Sequence, residues 1–136
     1  MKRVECEILA PAGRAADIAP LLENGADAVY VGLAGYSARP ESSDFSAEEI
    51  WEALPAVHGE GKKLFAAINA NVPGEKIEEL CGLIEELDEK GIDALILSDY
   101  GLMNRVSKIA TCSASCKHTH RGSIITKTSA CCRKWE

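Results

Sequence analysis

No apolar run in this 136-residue chain approaches the ~18 residues that a membrane span needs. No leader is expected either. The opening "MKRVECEILAPAG" has a basic head, but Glu5 and Glu7 interrupt what would be the apolar core of a signal peptide. No membrane partner and a cytoplasmic location are therefore expected. In that compartment the six cysteines are thiols rather than a disulfide framework. Cations are in deficit: the net charge of −6 argues against nucleic acid as a partner of this segment, without excluding a basic patch. There is no P-loop, and "GLAG" at 32–35 does not meet the dinucleotide-binding fingerprint. What the chain does have is 46% apolar residues, enough for the core of one modest domain.

A unit recurs through the first 110 residues. Gly25, Gly61 and Gly91 each follow a helix-like segment and precede a continuous apolar run, at Ala28–Val31, Leu64–Ile68 and Ala94–Leu97. Glycine just past a helix adopts φ > 0 at little cost and caps the last carbonyls. A continuous apolar run suits a strand buried on both faces. "CEILAP" supplies an earlier strand. Ser46 with Glu49 three residues on forms a capping box, and Ile77, Leu80, Cys81, Ile84 and Leu87 recur at helical spacing. Pro20 and Pro55 fall in the first two helical segments and should shorten or bend them. The pattern predicts strands over 6–10, 27–33, 63–69 and 93–98. It predicts helices over 14–24, 46–59 and 75–90, and a short helix from about 101. Alternating β and α elements imply α/β architecture with a parallel sheet. An open flavodoxin-like sandwich and half of a (βα)₈ barrel both fit this pattern.

In either architecture ligands gather at the carboxyl ends of the strands. The residues expected there are Pro11, Gly13, Tyr30, Gly32, Asn69, Asn71, Ser98 and Asp99, with Arg39 in the long loop "AGYSARPESSDF". Tyr30, Arg39, Asn69 and Asp99 are the candidate substrate-binding residues, although turn formation alone would explain such residues and Tyr30 could serve packing. No nucleophile, base and orienter can be assembled from spacing, so no catalytic residue is assigned. His58 reads as a helix C-terminal residue, and Cys81 and Cys6 as core.

Five blocks resemble a known family. In order they are "EILAPAG" at 7–13, "ENGADAVYVGLAGYSAR" at 23–39, "DFSAEEI" at 44–50, "LFAAIN" at 64–69 and "EKGIDALILSDYGLMNRV" at 89–106. Together they are similar to the amino-terminal part of the collagenase-like peptidases, peptidase family U32. The resemblance implies half of a TIM-barrel-like domain and, by the family's name, peptide hydrolysis. It equally implies an alternative, since other members resemble iron–sulfur proteins for oxygen-independent hydroxylation of RNA bases or ubiquinone precursors. In full-length relatives the partner would be a peptide or an RNA, and a 4Fe–4S cluster a cofactor. This chain by itself is expected to hold no cofactor, because those activities depend on cysteines beyond the matched part. The family's carboxyl-terminal signature is not found, so no catalytic residue carries over. Asp44 stands where relatives often have Asn, and Pro20 is also a departure.

The last 26 residues differ from the rest. Residues 1–110 carry 10 Lys+Arg against 20 Asp+Glu, and residues 111–136 carry 5 against 1. The tail lacks Leu, Val and Phe and shows no strand or helical period. It nevertheless holds Cys112, Cys116, His118, His120, Cys131 and Cys132. A zinc or iron–sulfur site, a native disordered basic tail, and a reading frame lost near Ala110 all compete. Adjacent cysteines rarely reach one tetrahedral metal, so no metal site is assigned and the lost frame is favoured. The expected division is a half-barrel over 1–110 and an irregular tail over 111–136. Taken so, the chain is a truncated, inactive fragment whose exposed edge invites self-association.

Overall fold

The computed structural model describes residues 7–38, 40 and 43–110, together with the backbone of 113–117 and 124–125. Its elements in order are β1 (Leu9–Pro11), α1 (Ala15–Glu23), β2 (Ala28–Leu33), β3 (Asp44–Phe45), α2 (Ala47–Gly59) and β4 (Lys63–Ile68). A 3₁₀ turn (Gly74–Lys76) leads into α3 (Ile77–Lys90), β5 (Ala94–Leu97), α4 (Tyr100–Ile109), β6 (Ser113–Lys117) and β7 (Ile124–Ile125).

The repeat unit is built by its glycines and aspartates. Gly25, Gly61 and Gly91 have φ of 101°, 69° and 94°, the left-handed turns that release the chain from each helix. Two residues after Gly25 and Gly91 stand Asp27 and Asp93, each just before a strand. Asp27 Oδ2 accepts the Ile8 amide at 2.8 Å, and Asp93 Oδ2 accepts the Leu64 amide at 2.8 Å. Each carboxylate thus clamps the start of its own strand to the strand before it. A side chain from the end of α2 or the turn after it serves each clamp: Lys62 Nζ lies 3.4 Å from Asp27, and His58 Nε2 lies 2.8 Å from Asp93.

Strand order separates the two architectures left open by periodicity. The ladder runs β1-β2-β4-β5-β6, all parallel, with β7 antiparallel on β6 and β3 beside β2. Each strand neighbours the next in sequence, and there is no point where the order reverses, as a flavodoxin-like sheet requires. Right-handed crossovers in such a series put all the helices on one face. Val29, Val31, Leu33, Leu64, Ala66, Ile68, Leu95 and Leu97 point to that face, packed on Ile18, Leu22, Ile50, Leu54, Ile84 and Leu87. Residues between them face the other way, into what is the barrel interior in a closed (βα)₈ fold.

Several boundaries differ from expectation. β1 begins at Leu9 rather than residue 6: the Ile8 amide is taken by the Asp27 side chain, not by a main-chain carbonyl of the neighbouring strand. Its end at Pro11 is tolerated: the neighbouring Ala12 amide, not position 11, donates to Tyr30 of β2, so the missing N–H falls outside the ladder. β3 was not anticipated. It is two residues long and occupies the side of β2 that β1 vacates when it ends level with Tyr30. Pro55 does not shorten α2, which keeps 13 residues with the proline on its exposed side. The Ser46–Glu49 capping box is present in both directions. The tail showed no strand period, yet 113–117 forms β6. Main-chain pairing to the open β5 edge supplies the bonds without any apolar pattern.

The Asp27 clamp should be visible in acid. Its carboxyl is held below the ordinary value of 3.8, chiefly by the Ile8 amide and, against a raising effect of burial, by Lys62. A lowered folded pKa contributes stability above about pH 4 that is lost as pH falls through the folded value. Denaturant unfolding between pH 2 and 6 should therefore show a steeper acid decline for the natural protein than for Asp27→Asn. Parallel declines would remove the clamp from the account of stability.

Candidate active site at the carboxyl ends of the strands

Chemistry in this arrangement belongs where the strands end and the βα loops meet. The loop after β2 is anchored there at three points. Tyr36 is buried, its hydroxyl lies near the Glu79 carboxylate on α3, and its carbonyl accepts the Ala70 amide at 3.0 Å. Burial first, and the Glu79 carboxylate second, push the Tyr36 pKa up. Asn69 Oδ1 accepts the Ala38 amide at 2.8 Å, tying the end of β4 to the same loop.

Gly32 is the tightest point of the mouth. A Cβ there would stand 2.3 Å from Asp44 Oδ1, 2.7 Å from Ser37 Oγ and 2.9 Å from Ser37 Cβ. Asp44 is in register with Gly32, so both face the interior side of the sheet. Asp44 also borders a cleft of about 150 Å³ lined by Gly13, Arg14, Phe45 and Glu49. Arg14 is held by Asp17 at 3.0 Å across the β1–α1 turn.

The candidate residues fall in different positions. Tyr30 lies in mid-strand, half-buried on the interior face and level with Phe65. Asn69 and Asp99 stand at the ends of β4 and β5. Asp99 caps α4 by accepting the Leu102 amide at 3.0 Å. Both therefore hold backbone in place. Ser98 and Gly13 are half-buried at the mouth, while Pro11 and Asn71 are exposed. Arg39 lies outside the described residues, as do Cys6, Cys112, His118, His120, Cys131 and Cys132. Of Cys116 only the backbone, within β6, is described. Sequence reading missed Asp44, Ser37 and Phe65 as parts of the mouth. The available signal was Gly32 itself, a glycine ending an apolar strand, which marks close approach by another group.

His58 is engaged with Asp93 at the opposite, amino-terminal end of the sheet. Cys81 was expected in the core but is half-buried at the edge of the α3 stripe, beside Arg105, which also bonds Glu78. Among the described residues no group of three or more His, Cys, Asp or Glu could hold a metal. The described mouth offers an interior-facing aromatic pair, hydroxyls, an amide and carboxylates. These are groups that bind and orient.

A sequential parallel (βα) series with a loop-built mouth defines the class as half of a (βα)₈ barrel. Phosphoribosylanthranilate isomerase from Thermotoga maritima, a barrel of that kind, superposes with a TM-score of 0.51 at 14% identity, over 82% of this chain and 52% of its own. That likeness concerns the fold alone. The family model of peptidase family U32 matches residues 13–123, and the chain belongs to that family.

Among its relatives is the 23S rRNA 5-hydroxycytidine C2501 synthase of Escherichia coli, 38% identical over 71% of this chain and 15% of the relative. The tRNA hydroxylation protein P2 of Bacillus subtilis is 37% identical over 68% of this chain and 30% of its own length. The collagenase of Porphyromonas gingivalis is 28% identical over 76% and 25%. The chain thus spans less than a third of each of these relatives. No helix among the described residues is long and apolar enough to cross a membrane.

Substituting Gly32→Ala should destabilise the fold by about 1–3 kcal/mol, because the new methyl must displace Asp44 and Ser37. Gly59→Ala, where a Cβ meets nothing within 4 Å, should be neutral. Urea denaturation of the two variants checks this, and equal midpoints would disprove the close packing at Gly32.

Proposed function

We propose that this chain is part of a U32 protein that supports hydroxylation of an RNA base, in preference to a collagenase-like peptidase. The observation that carries the reading is the ranking over one shared stretch. The relatives named for rRNA and tRNA hydroxylation match at 38% and 37%, whereas those named collagenase and uncharacterized protease match at 28%.

The excess of acids is compatible with an RNA substrate if phosphate contacts are made elsewhere. Sequence-specific RNA recognition targets unstacked bases, which aromatic side chains receive without opposing charge. A cytosolic setting follows from that substrate. Cys81, the cysteine whose side chain is described, stands on an outer helix, so in this reading a four-thiolate cluster draws on cysteines outside the described residues. The part of the described residues in this reading is to shape and orient a substrate site. The edge expected to be open, along the strand over 93–98, is paired with β6; the main-chain groups of Leu9 and Pro11 that face away from β2 meet no strand among the described residues, so self-association in this reading falls to the β1 edge. Sedimentation equilibrium should show concentration-dependent dimers, and a monomer throughout would remove that element.

The functional test compares nucleosides from rRNA and tRNA of cells with and without the gene, by mass spectrometry. The expected result is loss of a nucleoside heavier than its parent by one oxygen, restored by complementation. An unchanged nucleoside profile, with collagen cleavage lost in the deletion, would overturn the proposal in favour of the peptidase.

A further inference from the structure

Neighbouring helices meet at three junctions on the outer surface, and two of these are bridged. Between α2 and α3 the Lys90 ammonium lies 5.8 Å from the centre of the Trp51 ring. Between α3 and α4, Arg105 bonds Glu78. Among the described residues no hydrogen bond or ion pair joins the side chains of α1 and α2. That junction is instead an open groove of about 320 Å³. Its walls are Ala15 and Ala19 on α1 and Ala53 and Ala56 on α2. Its floor is Ile18, Leu22 and Val57, all part of the buried core. Closing the barrel adds helices beyond α4 and on the far side of α1, not between α1 and α2. Barrel closure therefore leaves this groove open.

Every charged group lining the groove is acidic: Glu49, Glu52 and Glu60. Glu49 accepts the Ser46 amide in the capping box. Glu52 and Glu60 are exposed and meet no cation among the described residues. The nearby cations are committed elsewhere, Arg14 to Asp17, Lys62 to Asp27 and Lys63 to Glu7. An acidic rim repels phosphate, so neither RNA nor an anionic lipid surface suits the groove. An apolar body with cations on its flanks does.

The spacing of the walls gives the shape of the occupant. Ala15 and Ala19 stand four residues apart, and Ala53 and Ala56 three apart, so each pair lies along one face of its helix. Small side chains on both walls let a third helix seat a ridge of its own side chains closely between them. From Glu49 to Glu60 the groove follows α2 for about 16 Å, or three turns. An amphipathic helix laid into such a groove anchors through apolar residues at i, i+4 and i+7.

We propose that the α1–α2 groove docks a basic amphipathic helix of a partner protein. Its aliphatic side chains lie over Ile18, Leu22 and Val57, and its lysines or arginines face Glu52 and Glu60. Ala15 and Glu49 also line the cleft beside Asp44, so the docked helix ends next to the mouth. The inference goes beyond the RNA reading and does not rest on it.

The test titrates the 136-residue chain with a synthetic helical peptide. The peptide has about four turns, leucine at i, i+4 and i+7, and lysine on both flanks. A second peptide keeps the lysines and carries serine in place of leucine. Alanine methyl NMR signals report the contact. Saturable shifts are expected at Ala15, Ala19, Ala53 and Ala56 with the leucine peptide alone. Ala19→Leu and Ala56→Leu fill the groove from opposite walls. Each should weaken binding by at least about tenfold, as loss of an interface anchor does. Glu52→Gln combined with Glu60→Gln should weaken it by about 2- to 30-fold, the range of two exposed ion pairs, and reduce its salt dependence. Circular dichroism checks that the variants fold; if one leucine variant does not, the other and the glutamine pair carry the comparison. Equal binding of the serine peptide overturns the proposal, since charge alone then suffices. Shifts spread over the acidic face of α3 do the same, as does leucine-peptide binding unchanged by the filling variants. Dilution shifts at the same four methyls in the free chain would make a second copy the occupant and overturn the partner helix.

Discussion

The parallel register between β2 and β4 is the constraint on which the other elements depend. Five consecutive pairs, from Ala28 with Lys63 to Gly32 with Ala67, align the two strands. Because side chains alternate, this register sends Val29, Val31, Leu64 and Ala66 to the helices and Tyr30, Gly32, Phe65 and Ala67 to the interior. A slip of one residue would exchange the two sets, burying Phe65 under α2 and emptying the core of its aliphatic rows. The carboxylates of Asp27 and Asp93 oppose such slips at one end of the sheet. At the other end Asp44 and Ser37, packed against Gly32, leave no tolerance for a different residue in that place.

That division separates stability from chemistry along the strand axis. The amino-terminal ends hold the ion pairs and clamps, including the one described histidine. The carboxyl-terminal ends hold glycines, hydroxyls and amides whose backbone is secured by Tyr36, Asn69 and Asp99. The helices carry most of the acids outward, as on α3 with Glu78, Glu79, Glu85 and Glu86 exposed. The U32 relatives named for hydroxylation and for proteolysis share this stretch of chain.

Much of the fold was legible because its signals are local. Gly25, Gly61 and Gly91 mark helix exits, the capping box at Ser46 marks an entry, and apolar runs mark strands buried on both faces. The choice between a half-barrel and a flavodoxin-like sheet was not legible from periodicity, since both use the same units. It lies in which strands pair, a long-range property, and the family resemblance supplied it first. The candidate site was read only in outline. Asn69 and Asp99 were found because polar residues follow apolar strands, but that rule does not distinguish a binding group from a backbone anchor. Asp44 and Ser37 were missed because their importance comes from contact with Gly32 across the β2–β3 loop, which no spacing reveals. The β6 strand escaped notice because main-chain pairing leaves no trace in side-chain pattern.

The clamps of Asp27 and Asp93 grasp amides, not side chains. An amide is present at every position except proline, so a grip of this kind is indifferent to what the clamped strand spells. Ile8 and Leu64 could drift to other residues while the strands kept their alignment. The same device, a glycine with an aspartate two positions on, occurs twice in the described residues with a different side chain beside it, Lys62 or His58. A module locked through its main chain can be copied and its strands rewritten without losing the lock. This is how one βα unit could multiply into a barrel while its loops were free to acquire new substrates.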